Sequence, residues 1–238
     1  MLLIQSFVNV ARAALRCQVA AIAAVTMAGA ALLGAQSAAL AQAPATSEPV
    51  AFPINRPTLQ VGDSWQYQRT DLWKNEVNLN KASFKLTSMT KEGNYRFDLT
   101  NFQGVASKFS SDLDLNGVKY KVQGEDMVQT WNKWPVTDGM SWEFAYKRLF
   151  DNGTIATYTV NCKINGLEKV VGPAGTFDVV KRVCKAFWTN SLGGTGSGEV
   201  ISLYAPAVKR MVREQNRWWV GSALQEQTLD ELVSFKVQ

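Results

Sequence analysis

The chain reads as a mainly β protein: one curved antiparallel sheet, rolled toward a half-barrel or open barrel, forming a single domain over residues 58–238. Three observations predict this. From Thr58 onward apolar and polar residues alternate with a period of two, as in "SWQYQRTDLW", "SFKLTSM", "NYRFDLTNF", "TIATYTVNCKI", "TFDVVKRVCKAFW" and "TLDELVSFKV". Asn-Gly, Gly-Pro and Gly-rich punctuation separates these runs. No segment beyond the N-terminal leader sustains the i, i+3, i+4 apolar stripe of a long helix. About ten or more such strands must curl or stack to bury one face.

The N-terminus has a different character. Residues 1–18 hold Arg12 and Arg16 and no acid, Val19 to Ala35 form an uninterrupted apolar run, and Ala39 and Ala41 make an A-x-A pattern. That order is the order of a secretory signal peptide over residues 1–41, with the cut expected after Ala41 and no stable membrane span afterwards. Residues 42–57 carry four prolines and read as an extended linker. The whole chain of 238 residues has 25 Lys and Arg against 20 Asp and Glu. Without the two leader arginines the net charge is +3, ordinary for solubility, and the scattered bases give no nucleic-acid motif. The expected compartment is the periplasm.

Of three cysteines, Cys162 and Cys184 survive cleavage, and an oxidising compartment makes a disulfide the expectation. They lie eleven residues either side of Pro173 in "VVGPAGTFDVV". A hairpin centred on Pro173 sets them face to face; a turn at Asn165-Gly166 lets them meet only through a neighbouring strand. Closing this loop is worth about 3 kcal/mol in the chain-entropy model.

There is no histidine. Ser-His-Asp triads, Cys-His dyads and most zinc or haem sites therefore have no imidazole, and no catalytic residue, metal or cofactor is assigned. "DLDLNG" (Asp112 to Gly117) matches the start of a calcium loop, but its twelfth position is Gln123 instead of the bidentate Glu, and a hairpin turn is the simpler reading. "GGTGSG" (Gly193 to Gly198) lacks the Lys and the helix of a phosphate loop and reads as a hairpin loop. Glu143, Asp151, Asp178 and Glu199 are the carboxylates that a glycosidase would need to converge, and charged positions on an outer face account for all four. "GDSWQY" (Gly62 to Tyr67) and "GMSWEF" (Gly139 to Phe144) form a weak internal echo that marks two similar strand starts.

Eight tryptophans are the strongest positive feature. "WNKWP" and "RWWV" place Trp131, Trp134, Trp218 and Trp219 so that they cannot all enter one core, since adjacent strand residues face opposite sides. These four are the expected ligand contacts, at the rim of a concave face.

Gly62 to Tyr67, Pro173 to Val179 ("PAGTFDV") and Tyr204 to Lys209 ("YAPAVK") together resemble an uncharacterised family of bacterial periplasmic β proteins. Its architecture is similar to the lipoprotein-localisation carriers LolA and LolB, half-barrels with an apolar concave face. The resemblance covers roughly Thr58 to Gln238, departs from LolB in lacking a lipobox cysteine, and transfers no functional residue. It implies an exported, non-catalytic protein that holds a lipid or other amphiphile. The alternatives are a cell-envelope protein-interaction module and a carbohydrate binder using exposed Trp.

Overall fold

The computed structural model describes residues 50–238, so the leader and the start of the linker lie outside the described residues. Among them the secondary structure is strand apart from one 3₁₀ turn, Pro206–Val208. The sheet begins in its own middle. β1 (Ser64–Asp71) pairs at its far end with the short β2 (Glu76–Val77), and the chain then steps outward through β3 (Ala82–Met89), β4 (Tyr95–Thr100) and β5 (Ala106–Ser111) to one edge. Residues 112–140 carry a separate hairpin, β6 (Tyr120–Val122) and β7 (Glu125–Met127). They deliver the chain to the opposite edge, β8 (Ser141–Leu149).

From there β9 (Ile155–Gly172), β10 (Gly175–Asn190), β11 (Thr195–Ala205), β12 (Arg210–Val220) and β13 (Ala223–Lys236) return strand by strand until β13 pairs with β1. The strand order is β5-β4-β3-β1-β13-β12-β11-β10-β9-β8, every neighbour antiparallel. The sheet is curved and open: β5 and β8 do not pair. This topology has one consequence for function. A connection whose ends lie on opposite edges must cross a face of the sheet, and residues 112–140 do so as a strap.

Period-two patterning decides which face the strap covers. Trp65, Tyr67 and Arg69 on β1, Phe84 and Leu86 on β3, and Tyr158, Val160 and Cys162 on β9 are buried, while their strand neighbours are more exposed. This is the inner face. Strap residues grip it at named points: the Trp142 indole donates to Thr130 O (2.8 Å) and the ring of Trp134 meets Tyr204 edge-on (5.1 Å between centroids). The "DLDLNG" stretch is the turn after β5. Its Asn116 exchanges hydrogen bonds with Asn132, and Asp114 O accepts from the Trp134 indole, so the turn anchors the strap. The distal part of the Pro-rich run joins the fold too, since Ile54 is buried and bridges to Val136.

The two readings of the cysteine hairpin turn out to be joint. Gly172 pairs with Gly175, so the chain reverses at Pro173-Ala174, and Gly175 takes a φ of +132° that a side chain would resist. Asn165-Gly166 is a bulge, with Gly166 at φ +81°. Before the bulge Val180 faces Leu167; after it Arg182 faces Ile164, and Cys184 faces Cys162 directly. Were the ladder to run on unbroken from Val180 and Leu167, with Asn165 and Gly166 both paired, Cys184 would face Lys163. The bulge sets the register that lets the disulfide form, with the two Cα atoms 4.0 Å apart.

The echo at the two Gly-x-Ser-Trp stretches marks strand starts, β1 and β8. Both tryptophans point inward and donate to a backbone carbonyl, Trp65 to Val208 O (2.7 Å) and Trp142 to Thr130 O. The strands occupy unlike places, mid-sheet and edge.

Candidate functional site

Because neighbouring strands are in register, the inner face can be described in rows running across the sheet. One row reads Phe144, Val160, Ala186, Gly198, Trp218 from β8 to β12; the next reads Tyr146, Tyr158, Trp188, Gly196. These rows are an aromatic floor. Tyr146 stacks on Tyr158 (4.6 Å, 4° between planes), and Tyr158 meets Trp218 edge-on at 6.3 Å. The glycines belong to the floor: a Cβ on Gly196 would overlap the Trp188 ring, and one on Gly198 the Trp218 ring. "GGTGSG" is thus only half a loop. Gly193 and Gly194 make the turn, whereas Gly196 and Gly198 are strand residues whose missing side chains let two indoles lie flat across β11.

A polar row runs beside the floor: Arg182 on β10, Ser202 on β11, Glu214 on β12, Asp230 on β13 and Arg69 on β1 are successive cross-strand partners. All five are buried. Arg182 Nη1 donates to Trp131 O and Asn132 Oδ1 on the strap, both at 2.6 Å, and its Nη2 to Ser202 Oγ at 3.0 Å. Ser202 in turn donates to Glu214 Oε2 at 3.0 Å. At the far end Arg69 grips Asp230 with two parallel bonds, 2.6 and 2.7 Å, while Phe102 lies over the guanidinium at 4.3 Å. Loop residues therefore cap both ends of the row.

The middle is different. Asn216, two residues along β12 from Glu214, and its partner Thr228 on β13 lie on the same face and are buried, Asn216 completely. Asn216 Oδ1 and Nδ2, Thr228 Oγ1, Glu214 Oε1 and Arg182 Nε have no hydrogen-bond partner among the described residues. A buried polar group left so costs on the order of 1–3 kcal/mol, and native interiors hold few. Burial pushes Arg182 down to about 10, partly offset by Glu214. Burial likewise raises the Asp230 carboxyl, against the pull of Arg69, and raises the phenols of Tyr146 and Tyr204.

The expected ligand contacts separate into two groups. Trp131 and Trp218 are buried on the inner face and linked through the floor: Trp131 packs on Phe144 (5.2 Å) and Tyr146 (6.4 Å), and Trp218 on Tyr158. Trp134 is half-buried on Tyr204. Trp219 is on the opposite face, between Ser197 of β11 and Leu224 of β13, as the alternation of adjacent strand residues requires. Three of the four thus serve the inner face and one does not. A cavity of ≈ 20 Å³ remains between strap and sheet, lined by Asn132, Trp134, Trp142, Ile164, Arg182 and Tyr204, room for about one water.

The carboxylates considered for hydrolysis stay outside. Asp178 pairs with Lys169 (3.2 Å) and Glu199 with Arg217 (3.4 Å), Glu143 is exposed beside Asn161, and Asp151 is exposed in a turn. Among the described residues no group of three or more Asp, Glu or Cys is placed to hold a metal ion, and no helix is long and apolar enough to cross a membrane.

The polar row is hard to find in the sequence because its members look like surface residues. A signal is nonetheless present: in "RMVREQNRWWV" Glu214 and Asn216 share the parity of Val212 and Trp218, so any register burying the latter buries the former.

No protein-family model and no curated protein sequence matches the chain. Solved structures similar to it include the following three. A protein of Bacteroides fragilis, described as exported with a YmcC-like fold, is 12% identical over 77% of this chain and 99% of its own, with a TM-score of 0.44. A protein of Parabacteroides distasonis, described as a lipoprotein, is 16% identical over 77% and 99%, with a TM-score of 0.43. The hypothetical lipoprotein YmcC of Escherichia coli is 11% identical over 72% and 84%, with a TM-score of 0.39. At these scores the likeness says nothing of a ligand, and the functional reading rests on the geometry of the inner face.

Proposed function

We propose that this chain is an exported, non-catalytic binding protein of the bacterial envelope that holds a lipid or other amphiphile against the inner face of its sheet. One observation carries the reading: the inner face is itself amphipathic, an aromatic floor on one side and a buried polar row with unpartnered atoms on the other. An acyl or alkyl chain laid on Tyr158, Trp188 and Trp218 gains about 0.8 kcal/mol per buried methylene, and needs no catalytic residue. Entry requires the strap to lift, and its grip on Arg182 and Tyr204 is a handful of contacts. The order of the N-terminal leader supports export to the periplasm, and the Cys162–Cys184 bridge suits an oxidising compartment. The resemblance to LolA and LolB half-barrels points the same way.

Native mass spectrometry of the protein purified from the periplasm without detergent tests this. Adducts of amphiphile mass that vanish on denaturation are expected. A clean, unliganded mass that stays clean after incubation with total lipid extract would overturn the reading and favour a protein partner.

A further inference from the structure

The atoms left without partners among the described residues, in the middle of the polar row, define a chemistry. They are two acceptors, Glu214 Oε1 and Asn216 Oδ1, one donor, Asn216 Nδ2, and one group that is both, Thr228 Oγ1. They sit together: Asn216 faces Thr228 across β12 and β13, and Glu214 is two residues from Asn216 on the same face. All three side chains are at least nine-tenths buried, with relative exposures of 0% for Asn216, 4% for Glu214 and 6% for Thr228. The surrounding charges balance, since Arg69 and Arg182 face Glu214 and Asp230. An anionic headgroup would meet the free oxygen of Glu214, and a cationic one would enter a row that has a guanidinium at each end, Arg182 and Arg69. Either would bring an unbalanced charge into a buried site, at a cost of several kcal/mol.

A hydroxyl donates and accepts at once, so adjacent hydroxyls match this alternation of donors and acceptors without adding charge. Trp218 follows Asn216 by two residues on the same face, its ring lying flat across Gly198. A sugar ring has this same division, an apolar C–H face that packs on an indole and a hydroxyl edge that needs hydrogen bonds. We propose that Glu214, Asn216 and Thr228, beside Trp218, form a subsite for a neutral polyhydroxylated headgroup, so that the ligand is a glycosylated or otherwise sugar-like amphiphile. This rests on the amphiphile reading above and specifies its polar end.

The test compares four probes with the same twelve-carbon chain, below their micelle concentrations, by calorimetry on the protein stripped of endogenous ligand: dodecyl glucoside, dodecyl phosphate, dodecanoate and dodecyltrimethylammonium. The glucoside is expected to bind about 10- to 100-fold more tightly than the charged probes. Asn216→Leu is expected to remove that preference while the gain per methylene across an alkyl series stays. Thr228→Val is the second variant, expected to weaken the preference in the same direction. Equal or tighter binding of a charged probe, or a preference that survives both substitutions, overturns the headgroup assignment and leaves amphiphile binding standing. Failure of all four probes to bind overturns both.

Discussion

Asn216→Leu should make the protein more stable, which is the opposite of what removing a buried amide usually does. The two side chains branch alike at Cγ, so the substitution replaces Oδ1 and Nδ2 by methyl groups in nearly the same shape. Neither amide atom has a partner among the described residues, and the residue has no exposed surface. Each orphaned polar atom costs roughly 1–3 kcal/mol. Leucine is slightly larger, and tight packing takes some of the gain back. A net stabilisation of about 1–3 kcal/mol remains, or a rise in Tm of roughly 2–4 °C per kcal/mol for a domain of this size. Urea denaturation of the oxidised, ligand-free protein measures it, read by the shift in midpoint at unchanged m-value. A loss of 1 kcal/mol or more would show that the amide is satisfied in solution, and would remove the basis for a ligand subsite at this position. A gain in stability paired with lost headgroup preference is the trade-off expected where a polar group is kept for binding.

Four further outcomes are expected from the same structure. Gly198→Ala should cost at least about 1–3 kcal/mol and change the near-ultraviolet circular dichroism of the indoles, because the new Cβ overlaps the Trp218 ring; an unchanged spectrum and melt would refute the flat-ring arrangement. Reducing Cys162–Cys184, whose cysteines are 22 residues apart, should lower stability by about 3 kcal/mol in urea with and without a phosphine reductant; coincident curves would contradict this. Deleting Asn165 closes the bulge and, counted along the ladder, leaves Cys162 opposite Cys184, so thiol titration of the exported variant should find no free cysteines; free thiols would refute this register. Arg69→Met strands the Asp230 carboxylate in the interior and should cost about 3–5 kcal/mol, with much of it recovered in the Arg69→Met, Asp230→Leu double variant; equal losses in single and double variants would argue against a buried pair.

The fold class was legible because alternation is a property of each strand alone, and the strands are long: eighteen residues in β9 and sixteen in β10. The hairpin was legible from the symmetry of Cys162 and Cys184 about Pro173, though which of two turn signals would act was open; the structure uses one as a turn and the other as a bulge. The strap was not legible, since nothing local in residues 112–140 states that β5 and β8 lie at opposite edges. Trp131 and Trp134 could be marked as unusual without knowing that they reach down onto Tyr146 and Tyr204. The polar row was hidden for a deeper reason. Arg182, Ser202, Glu214 and Asp230 come from four strands spread over 49 residues and become one row only through registers that bulges at Val180/Arg182 and Leu203/Tyr204 adjust. Gly196 and Gly198 misled for a related reason: glycine signals a turn when read alone, and an overlying ring only when the facing strands are known.

The most direct test of amphiphile binding on the inner face is photo-crosslinking. An alkyl glucoside carrying a diazirine in its chain would be irradiated with the protein and the labelled residues mapped by peptide mass spectrometry. Labels on Tyr158, Trp188 or Trp218, lost in competition with the unlabelled glucoside, are the predicted result. Labels confined to the outward-facing Phe187 and Trp219, or labels that competitor does not reduce, would contradict it.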